Sequence, residues 1–302
     1  MYGLDEIVAR LEALIGKPHV SEGYIRFRID LLKAQWAVRQ ALAAAPSRGP
    51  SSQTTSQATS MAGGEAGAPT PPLGPTTVSF EPELLRSLFT ALCASAARRG
   101  RQTEDTQRLM AAVEDNPALL EELACKAAFG PAMDDLESLA REVGVFVDVL
   151  LFIGRALAAP FVAEAAWRLA STQGGGPAPR ATGSGCGMCG SAPSFARLRR
   201  EDGRRILVCS LCGRSWESPR LLCPLCGIDD PEALSLLRPP EDAARWVEAC
   251  EGCRGYVKTV DERRLPLGET IIPVVEEAAT LHLDLLAERE GYIRRVPYVL
   301  AG

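Results

Sequence analysis

With 302 residues, 46% hydrophobic and 24% charged, the chain is long enough for two or three packed cores and has the composition of an ordinary globular protein, not of a disordered or fibrous one. A formal charge of −5 speaks against a dedicated binder of nucleic acid or of acidic membrane. The opening MYGLDEIVARLEALIG reads as an amphipathic helix with acids in its first turn and not as a secretory leader, so the ten cysteines are expected in a reducing, cytoplasmic compartment.

Residues 1–44 predict N-terminal helices. Leu4, Ile7, Val8, Leu11 and Leu14 recur at helical spacing, Gly16-Lys17-Pro18 interrupts them, and Tyr24, Phe27, Leu31, Leu32, Gln35 and Val38 mark a second helix. Residues 45–79 are Ser, Thr, Gly, Pro, Ala and Gln with almost no charge, which predicts a low-complexity linker or disordered insertion. Residues 80–170 return to helical periodicity as a second stretch of bundle. It ends in a run of either two helices or one kinked at Pro160. The most apolar part, residues 145–162, contains Asp148, Arg155 and Pro160, and its uninterrupted apolar run is too short for a bilayer. Cys93 and Cys125 sit among apolar helical residues and read as small core side chains. A Gly/Pro linker at 171–185 follows.

Four Cys-x-x-Cys knuckles occupy the last third: Cys186 and Cys189, Cys209 and Cys212, Cys223 and Cys226, Cys250 and Cys253. Two intervening residues let both thiolates of one turn face a single ion, and two such turns complete a tetrahedral four-sulfur site. Gly190, Gly213 and Gly227 directly follow their knuckles and Gly255 lies one further on, where glycine admits positive φ and close approach of backbone N–H groups to sulfur. The gaps between successive knuckles are 19, 10 and 23 residues. The longer gaps suit β-ribbons carrying one knuckle at each end, which favours pairing first with second and third with fourth and leaves a crossed arrangement open. The expected modules are 186–222 and 223–270, and residues 273–290 read as a closing helix with Leu281, Leu285 and Leu286 on its apolar face, within a C-terminal segment 271–302.

Enzymatic signatures are weak. His19 and His282 are far apart in sequence and far from the knuckles, and no Walker loop, dinucleotide fingerprint or nucleophile elbow is present, so no catalytic or organic-cofactor residue is assigned. Arg197, Arg199, Arg200, Arg204 and Arg205 form a basic stretch, yet charges nearly balance across 186–260, and eight thiolates outweigh two divalent ions; a nucleic-acid module wants the opposite sign. Trp216, Arg220, Trp246 and Tyr256 read as packing and surface residues around small metal-stapled cores.

The runs CGMCGSAP, LVCSLCGRSWESPRLLCPLCG, VEACEGCRGYVKTVD and VVEEAATLHLDLLAEREGY, with the segment from Tyr24 to Phe27, resemble the FdhE family of formate dehydrogenase accessory proteins. The long insertion at 45–79 departs from that pattern. The resemblance implies an α+β multidomain fold: an N-terminal all-α helical domain, then two small rubredoxin-like or zinc-ribbon β modules and a C-terminal helix. It also implies a non-enzymatic cytoplasmic assembly factor that contacts the catalytic subunit of formate dehydrogenase and neither enters the membrane nor binds nucleic acid. Carried onto this chain, the metal ligands are Cys186, Cys189, Cys209, Cys212, Cys223, Cys226, Cys250 and Cys253, for two ions of iron or zinc, since four thiolates suit both. A rubredoxin-like electron carrier and a nucleic-acid-binding zinc ribbon are the alternatives.

Overall fold

Helices come first and strands second in the computed structural model, which describes residues 2–45, 71–99, 104–130, 133–172, 185–295, 297 and 299. In α1 (Leu4–Glu12) the stripe turns Ile7 and Leu11 inward, and the chain reverses through Gly16 at φ 86°. Helix α2 (Glu22–Ala44) starts behind Ser21, whose Oγ accepts the Tyr24 N–H at 3.4 Å as an N-cap. There follow α3 (Pro82–Arg98), α4 (Glu104–Asp115), α5 (Leu119–Phe129), α6 (Met133–Val143) and α7 (Val147–Thr172).

α7 is one helix running through Pro160, and every residue from 154 to 164 is buried. Among the described residues it is the helix long and apolar enough to cross a membrane, but 72% of its apolar window is buried against the rest of the chain. A helix hydrophobic on all sides belongs at the centre of a bundle. At Gly154 an added Cβ would stand 2.6 Å from Ala127 Cβ and 2.8 Å from the Leu123 carbonyl, which shows how closely α5 crosses it.

Proline in a helix interior takes away the N–H that would bond the carbonyl four residues earlier. For Pro160 that carbonyl belongs to Ala156, and the Gln35 side chain, fully buried on α2, donates its Nε2–H to it at 2.8 Å and to the Val299 carbonyl at 2.9 Å. One amide thus holds α2, α7 and the C-terminal tail together.

The strands are β1 (Pro193–Leu198), β2 (Arg205–Cys209), β3 (Ser215–Ser218), β4 (Leu234–Leu237), β5 (Arg245–Cys250) and β6 (Tyr256–Asp261). Each half is an antiparallel ribbon, so the fold is α+β with a helical N-terminal region and two small ribbon modules. The two ribbons are fused: β1 pairs in parallel with β6, Phe195 opposite Lys258 through Leu198 opposite Asp261, in a six-stranded sheet ordered β3-β2-β1-β6-β5-β4. The core of the helices continues into the first ribbon through Met188, Leu207, Leu211 and Trp216. The second ribbon closes a separate cluster of Val247, Ala249 and Tyr256 with Leu283, Ala287 and Tyr292.

Two expectations need correction. Residues 46–70 and 173–184 of the expected linkers lie outside the described residues, but residues 71–79 are not linker: Leu73 and Val78, apolar exceptions in a polar stretch, are buried, and the Leu73 N–H donates to the Met188 carbonyl at 3.0 Å. The closing helix is two, α8 (Pro273–Ala279) and α9 (Leu281–Arg289), broken at Thr280, whose Oγ1–H bonds the Glu276 carbonyl at 2.7 Å. The break resets the helical face. Leu283 and Ala287 are buried while Leu285 is 55% exposed, and Asp284 turns inward to accept from Lys258 Nζ and the Tyr256 hydroxyl, each at 2.8 Å.

Gln35→Leu will leave two buried carbonyls without donors and lower stability in urea titration by about 1–3 kcal/mol. Adding Pro160→Ala restores an amide at position 160 and will recover part of that loss; strict additivity of the two changes would refute the pairing.

Candidate metal centres

The structure brings the first knuckle to the second and the third to the fourth. Sulfurs of Cys186, Cys189, Cys209 and Cys212 all lie within 4.8 Å of one another, as do those of Cys223, Cys226, Cys250 and Cys253. Within the first group Cys186 to Cys212 is 3.6 Å and Cys189 to Cys209 is 3.5 Å; within the second, Cys223 to Cys253 is 3.9 Å and Cys226 to Cys250 is 3.8 Å. These are far beyond a disulfide bond. A tetrahedron of sulfurs about 2.3 Å from a central ion has edges of roughly 3.8 Å, so the donor sets fit a bound metal.

Local geometry explains the fit. Gly190, Gly213 and Gly227 have φ of 76°, 71° and 79°, closing each knuckle so that the Met188, Leu211 and Leu225 N–H groups point at Cys186, Cys209 and Cys223 sulfurs from 3.4 Å. At the fourth knuckle the positive φ falls on Arg254, 54°, and not on Gly255. Arg254 is held there by stacking 4.1 Å over the Tyr292 ring. Gly255 is needed for space: a Cβ would meet Leu225 Cδ1 at 2.6 Å and Cys253 Sγ at 3.3 Å.

The two centres differ in surroundings. All four cysteines of the first are buried, whereas Cys226 of the second is exposed and Cys253 half-buried. Burial pushes the Cys209 thiol well up, with Cys186 and Cys189 adding to the effect. A cation at the centroid reverses this, because a coordinating thiol is deprotonated outright. Away from both centres, burial alone raises Cys93 to about 11, as for an inert core thiol.

Sequence reasoning missed three polar residues beside the first centre. Arg155, legible only as a charge in an apolar run, is 4% exposed, and its Nη2 donates to Ser210 Oγ at 2.8 Å and Ser191 Oγ at 3.4 Å. The signal was present in that run, but its target lies 36 to 55 residues away. The basic stretch is spoken for by its own neighbours: Arg197 pairs with Glu262 at 2.5 Å, Arg199 with Asp202, Arg204 with Glu217 at 3.1 Å and Arg205 with Glu248 at 2.9 Å, while Arg200 donates to the Leu265 carbonyl at 3.1 Å. Trp246 is buried with Arg238 stacked 4.0 Å over its ring, and Trp216 is in the core; Arg220 is exposed.

The two histidines, distant in sequence, meet: the His19 and His282 ring centroids are 5.9 Å apart. Of the two, His282 lines a cleft of about 530 Å³ between α1 and α8. Burial lowers His282, His19 and Lys258 lower it further, and Asp242 and Glu241 oppose. A lowered folded-state value means the unfolded chain binds the proton more readily. Stability is therefore full above the unfolded value near pH 6.5 and falls as pH drops through the lowered one. Thermal melts from about pH 7.5 to 5 will show that His282→Gln flattens this acid-side decline; an unchanged slope would show that His282 does not contribute to it.

No protein-family model matches the chain. Over 124 residues it is 32% identical to the protein named FdhE homolog of Pseudomonas aeruginosa, spanning 38% of each chain. Over 112 residues it is 33% identical to the FdhE homolog of Aquifex aeolicus, 36% of this chain and 38% of that one, and over 130 residues 32% identical to FdhE of Escherichia coli, 39% and 38%. Each match spans less than two-fifths of the relative's length. Among solved structures, the crystal structure of the FdhE protein from Pseudomonas aeruginosa aligns over 99% of this chain and 97% of that one, with TM-score 0.47 and 21% identity. Fold and site define a helical protein with two ribbon-borne four-cysteine centres that suit tetrahedral metal ions. Over the part of its length matched in sequence, it is similar to proteins named FdhE or FdhE homolog, the family that the knuckle segments resemble.

Proposed function

We propose that the eight knuckle cysteines hold two metal ions, iron or zinc, and that this chain is a cytoplasmic, non-enzymatic accessory protein for the formation of active formate dehydrogenase. In this reading it docks the immature catalytic subunit through its metal-stapled C-terminal region. Support comes from the similarity to proteins named FdhE. The observation that carries docking is the setting of the second centre. Cys226 is exposed, and Cys223 and Cys250 border an open groove of about 450 Å³ with Leu221, Pro224, Leu234 and Leu236, of which Leu221 and Leu236 are 58% and 52% exposed. Exposed apolar side chains grouped at one groove mark an interaction surface.

Zinc here supplies structure alone; iron adds one-electron chemistry, and the exposure of Cys226 favours an electron carrier as the second reading. The ion-paired arginines of the first ribbon speak against nucleic acid.

Anaerobic purification with elemental analysis is expected to give about two ions per chain, from the two sets of four sulfurs. Visible thiolate-to-ferric bands that cycle with a reductant would advance the carrier reading, and a colourless protein would set it aside. Pull-down of the formate dehydrogenase catalytic subunit tests docking: Leu221→Asp with Leu236→Asp, at exposed sites that leave the core intact, will abolish capture. Full capture by that variant overturns docking at this groove.

A further inference from the structure

A guanidinium buried in protein needs a counter-charge, because hydrogen bonds to neutral oxygens replace water only in part. Arg205, 1% exposed, has Glu248 at 2.9 Å. Arg155 is as deeply buried, yet among the described residues no carboxylate lies within ion-pair distance of it. Its partners are neutral: the Ala127 carbonyl at 3.3 Å, Ser191 Oγ at 3.4 Å and Ser210 Oγ at 2.8 Å, and its Nε is without a partner. Ser191 follows the first knuckle and Ser210 lies inside the second, so one guanidinium reaches from α7 into both turns of the first centre. Burial disfavours its charge, and the sulfurs of Cys209, Cys189 and Cys212, once ionised by a bound ion, favour it.

Four thiolates around a divalent ion carry a net charge of about −2, and around a trivalent one about −1. Either supplies what Arg155 lacks. The arginines at the second centre are placed differently: Arg295, which donates to the Cys253 carbonyl, is exposed, and buried Arg205, which donates to the Leu222 carbonyl beside Cys223, already has Glu248 as its counter-charge. We propose that Arg155 is the counter-charge of the first four-thiolate centre, so that the ion there, and not the ion at the second, locks the helical bundle onto the ribbon. This rests on the reading that the centres hold metal. Emptying the first centre leaves Arg155 stranded among neutral groups on α7, and the contact between bundle and ribbon weakens; emptying the second leaves Arg155 its counter-charge.

The test uses the full-length, metal-loaded protein and release of its ions to a chromogenic chelator. Wild type is expected to release in two phases, the slow one belonging to the buried first centre and disappearing in Cys209→Ser. Arg155→Met will speed the slow phase by roughly 10- to 100-fold, the scale of losing an outer partner of a metal site, and leave the fast phase unchanged, while Arg155→Lys, which keeps the charge, stays close to wild type. A slow phase unaltered in Arg155→Met, or Arg155→Lys as fast as Arg155→Met, overturns the proposal. Hydrogen exchange on wild type probes the same coupling without a variant: removing the slow ion will deprotect α7 around Arg155 and removing the fast ion will not, and equal protection of α7 after both steps overturns it. Absence of metal from wild type would sink the metal reading and this inference together, whereas bound metal with unaltered release sinks only the role of Arg155.

Discussion

Strands linked by a tight turn pair antiparallel at little cost in chain entropy, but a parallel pair needs a crossover, and every residue in the crossover must be placed before the pair can form. In this chain the parallel pair is β1 with β6, at the middle of the sheet, and the crossover contains the remaining four strands. The register of residues 195–198 against 258–261 therefore decides how two otherwise self-sufficient ribbons face each other. It sets the first centre against the helical core, where its cysteines share one hydrophobic cluster with α2, α5 and α7. It leaves the second centre on the far ribbon, whose cluster is closed by α9 instead.

Buried charges fix the second ribbon against its helices and, at one pair, against the first ribbon. Lys258 stands opposite Phe195 at the parallel seam, 1% exposed, and pairs with Glu277 and Asp284 at 2.8 Å each; Arg294 pairs with the same two acids at 2.9 and 3.0 Å. Two cations and two carboxylates balance, and they tie β6 to α8, α9 and the tail. Arg205 and Glu248 link β2 of one ribbon to β5 of the other. Such groups add little net stability over apolar residues of the same shape, but a shift of one ribbon against the other would strand Arg205 and Glu248, which makes that pair an instrument of specificity in this sheet.

Which parts of this were legible in the sequence follows from how far each interaction reaches along the chain. Helical stripes and the knuckles with Gly190, Gly213 and Gly227 depend on neighbours within a turn, and their meaning is written locally. Gap lengths pointed to the ribbon pairing because a β-ribbon is itself a local object. Gln35 was visible as a polar residue on an apolar stripe, but its partner is the carbonyl freed by Pro160, 121 residues on at Ala156. The Lys258 network, the meeting of His19 with His282 and the descent of Arg155 onto Ser210 likewise exist only after the chain has folded. The break at Thr280 was hidden for a related reason: Asp284 is turned inward by Lys258, so the apolar face of α9 follows the ion pair and not the leucines.

Identical donor sets in unlike surroundings do different chemistry, because solvent access and nearby charge govern how fast a metal leaves and how readily it changes oxidation state. The first centre is dry, joined to the bundle through one core, and has a guanidinium beside its sulfurs; these features hold an ion in place. The second is open at Cys226 and borders an apolar groove, features that suit contact with another molecule. A protein that must meet a partner while keeping its own shape gains from separating the two demands. On the docking reading proposed above, however, a disturbance at the second centre has a route back to the helices through Leu225, inside the third knuckle, and Val257 of β6, since both pack with the core that also holds the cysteines of the first centre.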